Sequence, residues 1–226
     1  MDFVKLVQSA DDAIYEVMAW IMMVPKSLFH IVFQPKRSIT YVKVEMEKKP
    51  DERFDEYLSP VILWFLVGPL QNTVFNILVK ETDYLNANIA NYLFYSVLGS
   101  LIFITSYTII FGFFSKQVLK KSSLKRVFYL QCYVLTPYTL FVTGADTVIK
   151  IASFINGSQS YPLIANLGFI VSVLLIIVGV FLAVVYETIL FQVELGFKWG
   201  KAFLIATIIP VIFSPCLLPL LFIKGF

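Results

Sequence analysis

The sequence contains 226 residues, of which 58% are hydrophobic, 16% aromatic and 15% charged. Soluble domains are usually about 45–50% apolar and about 25% charged, and the core of a soluble domain of this size could not hold so much apolar surface. The formal net charge of +3 is too small to indicate a nucleic-acid partner. Composition therefore predicts an integral membrane protein whose main partner is the lipid bilayer.

Residues 1–24 carry apolar side chains at three- and four-residue spacings, separated by polar ones such as Asp11 and Glu16. This periodicity predicts an amphipathic helix, which either lies on the membrane surface or packs against the spans. Pro25 and Pro35 bracket a second apolar piece, which is too short to cross a hydrocarbon core that takes roughly 20 helical residues. We expect this second piece to lie at the membrane interface.

The chain turns polar between Lys36 and Glu56, where the run EMEKKPDERFDE predicts a solvated segment rather than an active site. Residues 1–56 are thus predicted to form a cytoplasmic and interfacial segment, and residues 57–226 the membrane domain. Five stretches of that domain have the roughly 17–25 apolar residues that a span requires. They are residues 58–79, 92–114, 127–149, 162–186 and 202–223. The predicted fold class is all-α, a polytopic membrane helical bundle of about five transmembrane helices with an N-terminal amphipathic interfacial helix.

The lysines and arginines fall unevenly on the two sides of such a bundle. If the N-terminus is cytoplasmic, 15 of the 18 lie on the cytoplasmic side, and only Lys80, Lys150 and Lys224 lie on the other. Cytoplasmic loops carry an excess of Lys and Arg. This division predicts five spans with the N-terminus in the cytoplasm and the C-terminus on the opposite side.

Small residues in the predicted spans should let neighbouring helices approach closely. They are Gly99, Ser100, Gly112, Gly168 and Gly179. The last predicted span should be bent or broken, because it carries Pro210, Pro215 and Pro219. This irregularity fits either a hinge or a terminal helix of no special function.

The first predicted span is polar in its second half, where it holds Pro69, Gln71, Asn72 and Asn76. Pro69 removes a backbone hydrogen bond and predicts a kink. Amides left unpaired in lipid are costly, so these side chains should face the bundle or a wet cavity. They serve either interhelical hydrogen bonding or a path for water or substrate.

Four charged residues near the ends of predicted spans are candidate functional residues. Asp146 and Lys150 lie four residues apart on one helical face and should form an ion pair. Glu187 follows a long apolar run, and Glu194 lies on the same face two turns further on. Intramembrane carboxylates often serve proton relays and cation sites. Alternatively, the fourth span ends near Tyr186, and both glutamates pair with Lys198, Lys201 or the basic loop before the third span.

No motif in the sequence indicates catalysis. There is no G-x-S-x-G, P-loop or HExxH motif. Cys132 and Cys216 have no neighbouring cysteine or histidine with ligand spacing. His30, the single histidine, is predicted to be a hydrogen-bonded or snorkelling interfacial residue rather than a ligand. We therefore expect a protein that is not an enzyme and that uses no cofactor or metal.

Two short segments, together with the five closely spaced spans and the N-terminal segment, resemble the Yip domain family of Ypt-interacting-protein-like membrane proteins. EYLSPVILWF is similar to the family's Asp-Leu-Tyr-Gly-Pro motif through Tyr57, Pro60 and Trp64, and LQCYVLTPYTLF is similar to its Gly-Tyr motif through Tyr133 and Pro137. The likeness covers roughly residues 25–224. It implies a five-span bundle, and eukaryotic members of the family are linked to Rab GTPases and vesicle traffic.

Two functional hypotheses follow. The first is a membrane scaffold or organising, trafficking-type subunit that works with another membrane protein or as a homo-oligomer. The second is a small permease or channel for an ion, lipid or apolar solute, based on Glu187, the broken first and last spans and the intramembrane amides. An enzyme acting on lipids is a more distant third, because it would need a catalytic constellation.

Overall fold

The computed structural model describes residues 3–78, 89–115, 121–159 and 162–208, and this part of the chain is all-helical, with turns between the helices and no strand. We number the helices in chain order. They are α1 (Phe3–Phe33), α2 (Pro35–Glu47), α3 (residues 60–78), α4 (Ile89–Ser115), α5 (Lys121–Gln159), α6 (Pro162–Leu195) and α7 (Trp199–Ile208). A short 3-10 turn, Pro50–Glu52, lies between α2 and α3.

Four helices of the described chain are long and apolar enough to cross a membrane, which indicates a multi-pass membrane protein. Three of these stretches match predicted spans: Leu93–Ser115, Ser123–Ile155 and Ala165–Leu195. The fourth, Ile14–Phe33, lies in α1, where the sequence predicts a surface helix and a short interfacial piece. The first predicted span corresponds to a shorter apolar helix, Pro60–Phe75.

The last predicted span lies mostly outside the described residues. Only Trp199–Ile208 of this region is described, and it is helical. The three prolines at positions 210, 215 and 219, and with them the predicted bend, fall beyond it.

Helix α1 runs through Pro25 without a break, so the division of residues 1–34 into two pieces is wrong. A proline inside a helix removes one backbone hydrogen bond, but here the flanking turns stay helical. The apolar residues of the predicted amphipathic stripe lie on α1, but residues 14–19 are exposed whether polar or apolar, so an amphipathic face is not confirmed.

The polar stretch after Pro35 is not simply solvated, because much of it forms α2 and one face of α2 is buried. Pro35 begins this helix at a position where proline is well tolerated. Its buried residues are Ser38, Ile39, Val42 and Glu45. They follow a helical spacing and pack against α5 and α6, so α2 is a docked helix rather than a free linker.

Helix α3 contains the predicted irregularity as a π-helical segment, Leu66–Leu70, centred on Gly68 and Pro69. Proline lacks the amide hydrogen that an α-helical bond needs, and one-turn π segments commonly absorb such defects. The Thr143 hydroxyl of α5 donates to the carbonyl oxygen of Val67 in this segment, at 3.2 Å. At Gly68, a Cβ atom would lie 2.7 Å from Cγ2 of Thr139. The defect thus lies against α5.

Helix α5 is the centre of the bundle. Its residues from Leu130 to Pro137 are all buried, which requires neighbours on every side at this level. Its most extensive partner is α6, and α6 approaches closely at Gly168, where a Cβ atom would clash with Cβ of Ala152. Nearby, the Ser172 hydroxyl donates to the carbonyl oxygen of Ala145 at 2.9 Å.

The predicted small-residue contacts are therefore confirmed in part. Gly179 also lies against α5, with the position of an added Cβ 3.0 Å from Cβ of Phe141. An added Cβ at Gly99 would meet nothing within 4 Å, so that glycine serves no close helix contact among the described residues.

Candidate functional site

The two glutamates of α6 lie inside the helix rather than beyond its end. Helix α6 continues past Tyr186 to Leu195, so both glutamates are helical residues whether or not the membrane span itself ends near Tyr186. Glu187 is only 1% exposed, and the side chain of Glu194 is 2% exposed. Two buried carboxyl groups on one face, seven residues apart, are the most chemically distinctive feature of the described chain.

Glu194 joins three helices in what we call the docking cluster, which consists of Glu194, Arg126 and Lys43. Its Oε2 atom lies 2.5 Å from Nη2 of Arg126 on α5, and its Oε1 atom lies 3.2 Å from Nζ of Lys43 on α2. A buried carboxylate is stable when paired and hydrogen-bonded, and here two cations share it. Arg126 belongs to the basic stretch that the sequence suggests as a partner.

The other suggested partners take different positions. Lys201 lies over the ring of Phe197, 4.1 Å from its centroid, in a cation–π contact. Within the described residues, neither Lys198 nor Lys201 forms an ion pair with Glu187 or Glu194.

Glu187 forms what we call the inner site with Gln131 of α5 and Tyr107 of α4, all three buried. The Gln131 amide nitrogen donates to Oε2 of Glu187 over 3.4 Å, which is a long bond. Oε1 of Glu187 and Oε1 of Gln131 have no hydrogen-bond partner among the described residues. The Tyr107 phenol is near enough to interact electrostatically with the Glu187 carboxylate. No described lysine or arginine pairs with this acid.

A third buried acid, Glu45 on α2, organises the loop after that helix. Its two oxygens contact Nζ of Lys48 at 2.6 Å and the backbone amide of Phe54 at 2.7 Å. Phe54 has φ of 63°, a left-handed conformation that is uncommon for a bulky residue, and the Glu45 bond holds it there. The hydrogen bond that Lys48 donates to Glu45 raises the pKa of Lys48. Burial first and the Glu45 charge second raise the pKa of Tyr41 to about 12.

The end of α1 is tied to the bundle by hydroxyl groups. The Tyr186 hydroxyl donates to the carbonyl oxygens of Ile31 and Val32, at 2.9 and 2.6 Å. The Ser27 hydroxyl accepts the backbone amide of Leu58 at 3.0 Å. Together with the docking cluster, these bonds fix α1 from residue 27 onward, and α2, against α5 and α6.

His30 is a hydrogen-bonded, half-buried residue, as predicted. Its Nδ1 atom lies 2.9 Å from the Ser38 hydroxyl, and its ring stacks on Tyr57 with centroids 4.3 Å apart. This contact places Tyr57 against α1, where it links the loop before α3 to the N-terminal helices.

The two motif-like segments of the sequence meet in space. The Tyr133 hydroxyl donates to the carbonyl oxygen of Leu58 at 2.9 Å. Pro60 begins α3 after the N-cap Ser59, and Trp64 and Pro137 are buried on α3 and α5. These residues therefore have structural roles in joining α3 to α5.

The remaining candidate residues lie on α5 and α3. The predicted ion pair between Asp146 and Lys150 is confirmed, with Nζ and Oδ2 2.6 Å apart. Gln71 and Asn72 are partly buried on α3, just after the π segment. The side chain of Asn76 lies outside the described part.

Several residues of these clusters are not identified by the sequence analysis. Gln131 carries a usable signal, since it is a glutamine inside a predicted span. Lys43 and Glu45 carry none, because they sit in a stretch whose composition is that of a solvated loop. Their roles depend on contacts with residues far along the chain, such as Glu194.

The described residues contain no group of three or more histidine, cysteine, aspartate or glutamate side chains that could hold a metal ion. Fold and polar contacts together define a helical protein of the multi-pass membrane class. No protein-family model matches the sequence, and no curated protein or solved structure matches it either. The resemblance to the Yip domain family thus stays a hypothesis.

Proposed function

We propose that this protein is a non-enzymatic membrane scaffold or organising subunit that binds another membrane protein or a second copy of itself. The observation that supports this is the exposed apolar stripe on α1. Its members recur at helical spacing and are each more than half exposed: Ile14, Tyr15, Met18, Ile21 and Met22. Contiguous exposed apolar surface of this kind typically marks a contact with lipid or protein.

The anchoring of α1 supports the same proposal. The last turns of the helix are held by Ser27, Tyr186 and the docked helix α2. A helix that is fixed at one end and apolar along its other end offers a surface in a defined orientation. Binding to a pre-oriented surface costs less conformational entropy than binding to a free segment.

We further propose a five-span bundle with the basic end in the cytoplasm. The docking cluster joins Lys43, Arg126 and the end of α6, so the cation-rich N-terminal segment and the basic stretch before α5 share one end. The positive-inside rule favours the cytoplasm for that end. In this proposal α3 and α7 contribute the first and last spans, and α1 lies along the membrane surface.

The resemblance to the Yip domain family agrees with a trafficking-type scaffold. It rests on Tyr57, Pro60, Trp64, Tyr133 and Pro137. The hydrogen bond from Tyr133 to Leu58 joins the two matching segments. Both segments therefore help to attach α3 to α5.

Purification of the full chain in mild detergent tests the scaffold proposal. We expect a homo-oligomer or a stoichiometric complex by light scattering coupled to size-exclusion chromatography, and we expect Met18→Ser with Met22→Ser to disrupt it. The matched control is Leu163→Ser with Leu167→Ser, which removes two comparably exposed apolar side chains from α6. A folded monomer without partner, or equal loss in both variants, would contradict the proposal.

A second candidate function, a small permease, is favoured by one observation, the burial of Glu187 without a cation partner among the described residues. Buried intramembrane acids often mark ion or proton pathways. Flux of protons or small cations into liposomes should then be abolished by Glu187→Gln and kept by Asp146→Asn, which alters an acid at a span end. Absence of flux in the unaltered protein removes this candidate.

A further inference from the structure

The inner site has more hydrogen-bond acceptors than donors to satisfy them. Glu187 and Gln131 face each other from α6 and α5, and their exposed fractions are 1% and 0%. One hydrogen bond of 3.4 Å joins them, while one oxygen of each side chain has no partner among the described residues. Buried polar atoms are nearly always paired, so one unpartnered acceptor oxygen on each of two hydrogen-bonded side chains calls for an additional donor.

The surroundings supply no charge to balance an ionised Glu187. On α4 the titratable group that interacts with Glu187 is Tyr107, a neutral phenol, and on α5 the Gln131 amide donates to its carboxylate. Glu194, two turns along α6, is already paired with Arg126 of α5 and Lys43 of α2. The Tyr186 hydroxyl donates to α1, and Lys201 of α7 lies over Phe197. No cation from these elements reaches the carboxylate.

A glutamine is suited to face an acid that changes its protonation state, because its amide has both donors and an acceptor. When Glu187 is ionised, the Gln131 amide N–H donates to it, as in the structure. When Glu187 carries a proton, its O–H can donate to the Gln131 carbonyl oxygen after the amide turns over. Both states use the same two side chains, with no movement of the helices.

We propose that Glu187 and Gln131 form an intramembrane proton-binding site. A carboxylate oxygen of Glu187 binds one proton from the aqueous phase and later releases one proton back to it. Gln131 is the positioning residue, because its amide can hydrogen-bond both the ionised and the protonated acid. The proposal concerns the same carboxyl group as the permease candidate but requires no flux. It is independent of the scaffold proposal.

A metal cation is a poorer occupant. Calcium and magnesium take about six or more oxygen ligands, whereas the unpartnered side-chain oxygens of the described residues at this place are one from Glu187 and one from Gln131. A proton needs one oxygen to bind it and a second oxygen to accept its hydrogen bond. Glu187 supplies the first and Gln131 the second.

Infrared difference spectroscopy of the full chain in lipid nanodiscs tests the proposal. A pH titration should reveal a protonated carboxylic acid band that appears and disappears with pH and is missing in Glu187→Gln. Asp146→Asn, the matched control, should keep the band. Gln131→Leu removes the group that hydrogen-bonds the acid and should shift the band's frequency and change the proton affinity by about tenfold. If Glu187→Gln does not fold, carbon-13 labelling of glutamate should shift the band of the unaltered protein and so assign it to a glutamate side chain.

Three outcomes would overturn the proposal: no pH-dependent glutamate band, a band that survives Glu187→Gln, or a band whose titration is abolished by sodium or potassium in a saturable way. The last would identify a cation site instead. Liposome flux and oligomeric state are measured separately, so failure of the proton site is distinguishable from failure of the permease or scaffold proposals.

Discussion

Glu194 is a single side chain that contacts a cation on each of two other helices. We expect Glu194→Gln to lower the free energy of unfolding by about 2 kcal/mol, because it leaves Arg126 and Lys43 without their shared counter-charge. This is below the loss for a fully buried pair, since both cations are about one-third exposed and partly screened by solvent. Thermal or denaturant unfolding in detergent measures this loss in the free energy of unfolding.

The control for this substitution is Glu56→Gln. Glu56 lies 3.9 Å from Lys26 in an exposed pair, and exposed pairs contribute about 0.5 kcal/mol or less. Equal destabilisation by the two substitutions would show that the docking cluster does not secure α2.

Tyr41 provides a pH-dependent prediction in the loop-facing part of α2. Its pKa is raised from 10.0 to about 12, first by burial and then by the nearby Glu45 charge. The unfolded chain therefore loses this proton at lower pH than the folded protein does. The contribution of Tyr41 to stability is unchanged below about pH 10 and is lost as the pH rises towards about 12.

Phenolate absorbance measures this shift. Subtracting the titration of Tyr41→Phe from that of the unaltered protein should give a curve with its midpoint near pH 12. A midpoint near the ordinary value of 10 would show that the Tyr41 hydroxyl is solvated.

At the scale of helices, close packing requires glycine at Gly168, where α6 contacts α5, but not at Gly99 on α4. Gly168→Ala should destabilise the protein by about 1–3 kcal/mol, because the new Cβ clashes with Cβ of Ala152. Gly99→Ala should instead stabilise it by up to about 1 kcal/mol, since it adds helix propensity in open space. Unfolding midpoints in the same detergent compare the two, and effects of the same sign would contradict the packing.

The helices differ in how well the sequence predicts them. Helices α4 and α6 are evident from hydropathy, because lipid selects long apolar runs irrespective of tertiary contacts. Helix α1 is wrongly divided at Pro25, since a proline predicts a break but does not impose one. Helix α2 is not anticipated, because its buried face includes Ser38 and Glu45, and only their partners make burial of such polar groups favourable.

The candidate site follows the same pattern. Glu187 and Glu194 stand out in an apolar sequence, so the sequence alone identifies them as candidates. Their different surroundings cannot be predicted from it, because Arg126 lies 68 residues before Glu194 and Gln131 lies 56 residues before Glu187. Local periodicity contains no information about pairs so distant.

For the whole molecule, the side of the membrane on which each end lies is the central prediction. We expect an impermeant thiol reagent to label Lys49→Cys from the cytoplasmic face and Leu163→Cys only from the other face. Both are made in a Cys216→Ser background, in which the remaining Cys132 is buried. Labelling of both from one face would contradict the proposed orientation.

The same method applied to Ser9→Cys decides the position of α1. Labelling from the cytoplasmic face agrees with a surface helix and five spans. Labelling from the opposite face would mean that Ile14–Phe33, which is long and apolar enough, crosses the membrane.

The bond from Tyr186 to Ile31 joins residues 155 positions apart, and this separation constrains how the protein is made. Residues 31 to 45 emerge from the ribosome before α6 does, so the buried face of α2 cannot contact α6 until most of the described chain has been made. We therefore expect the docking of α1 and α2 onto α6 to be a late step of biogenesis.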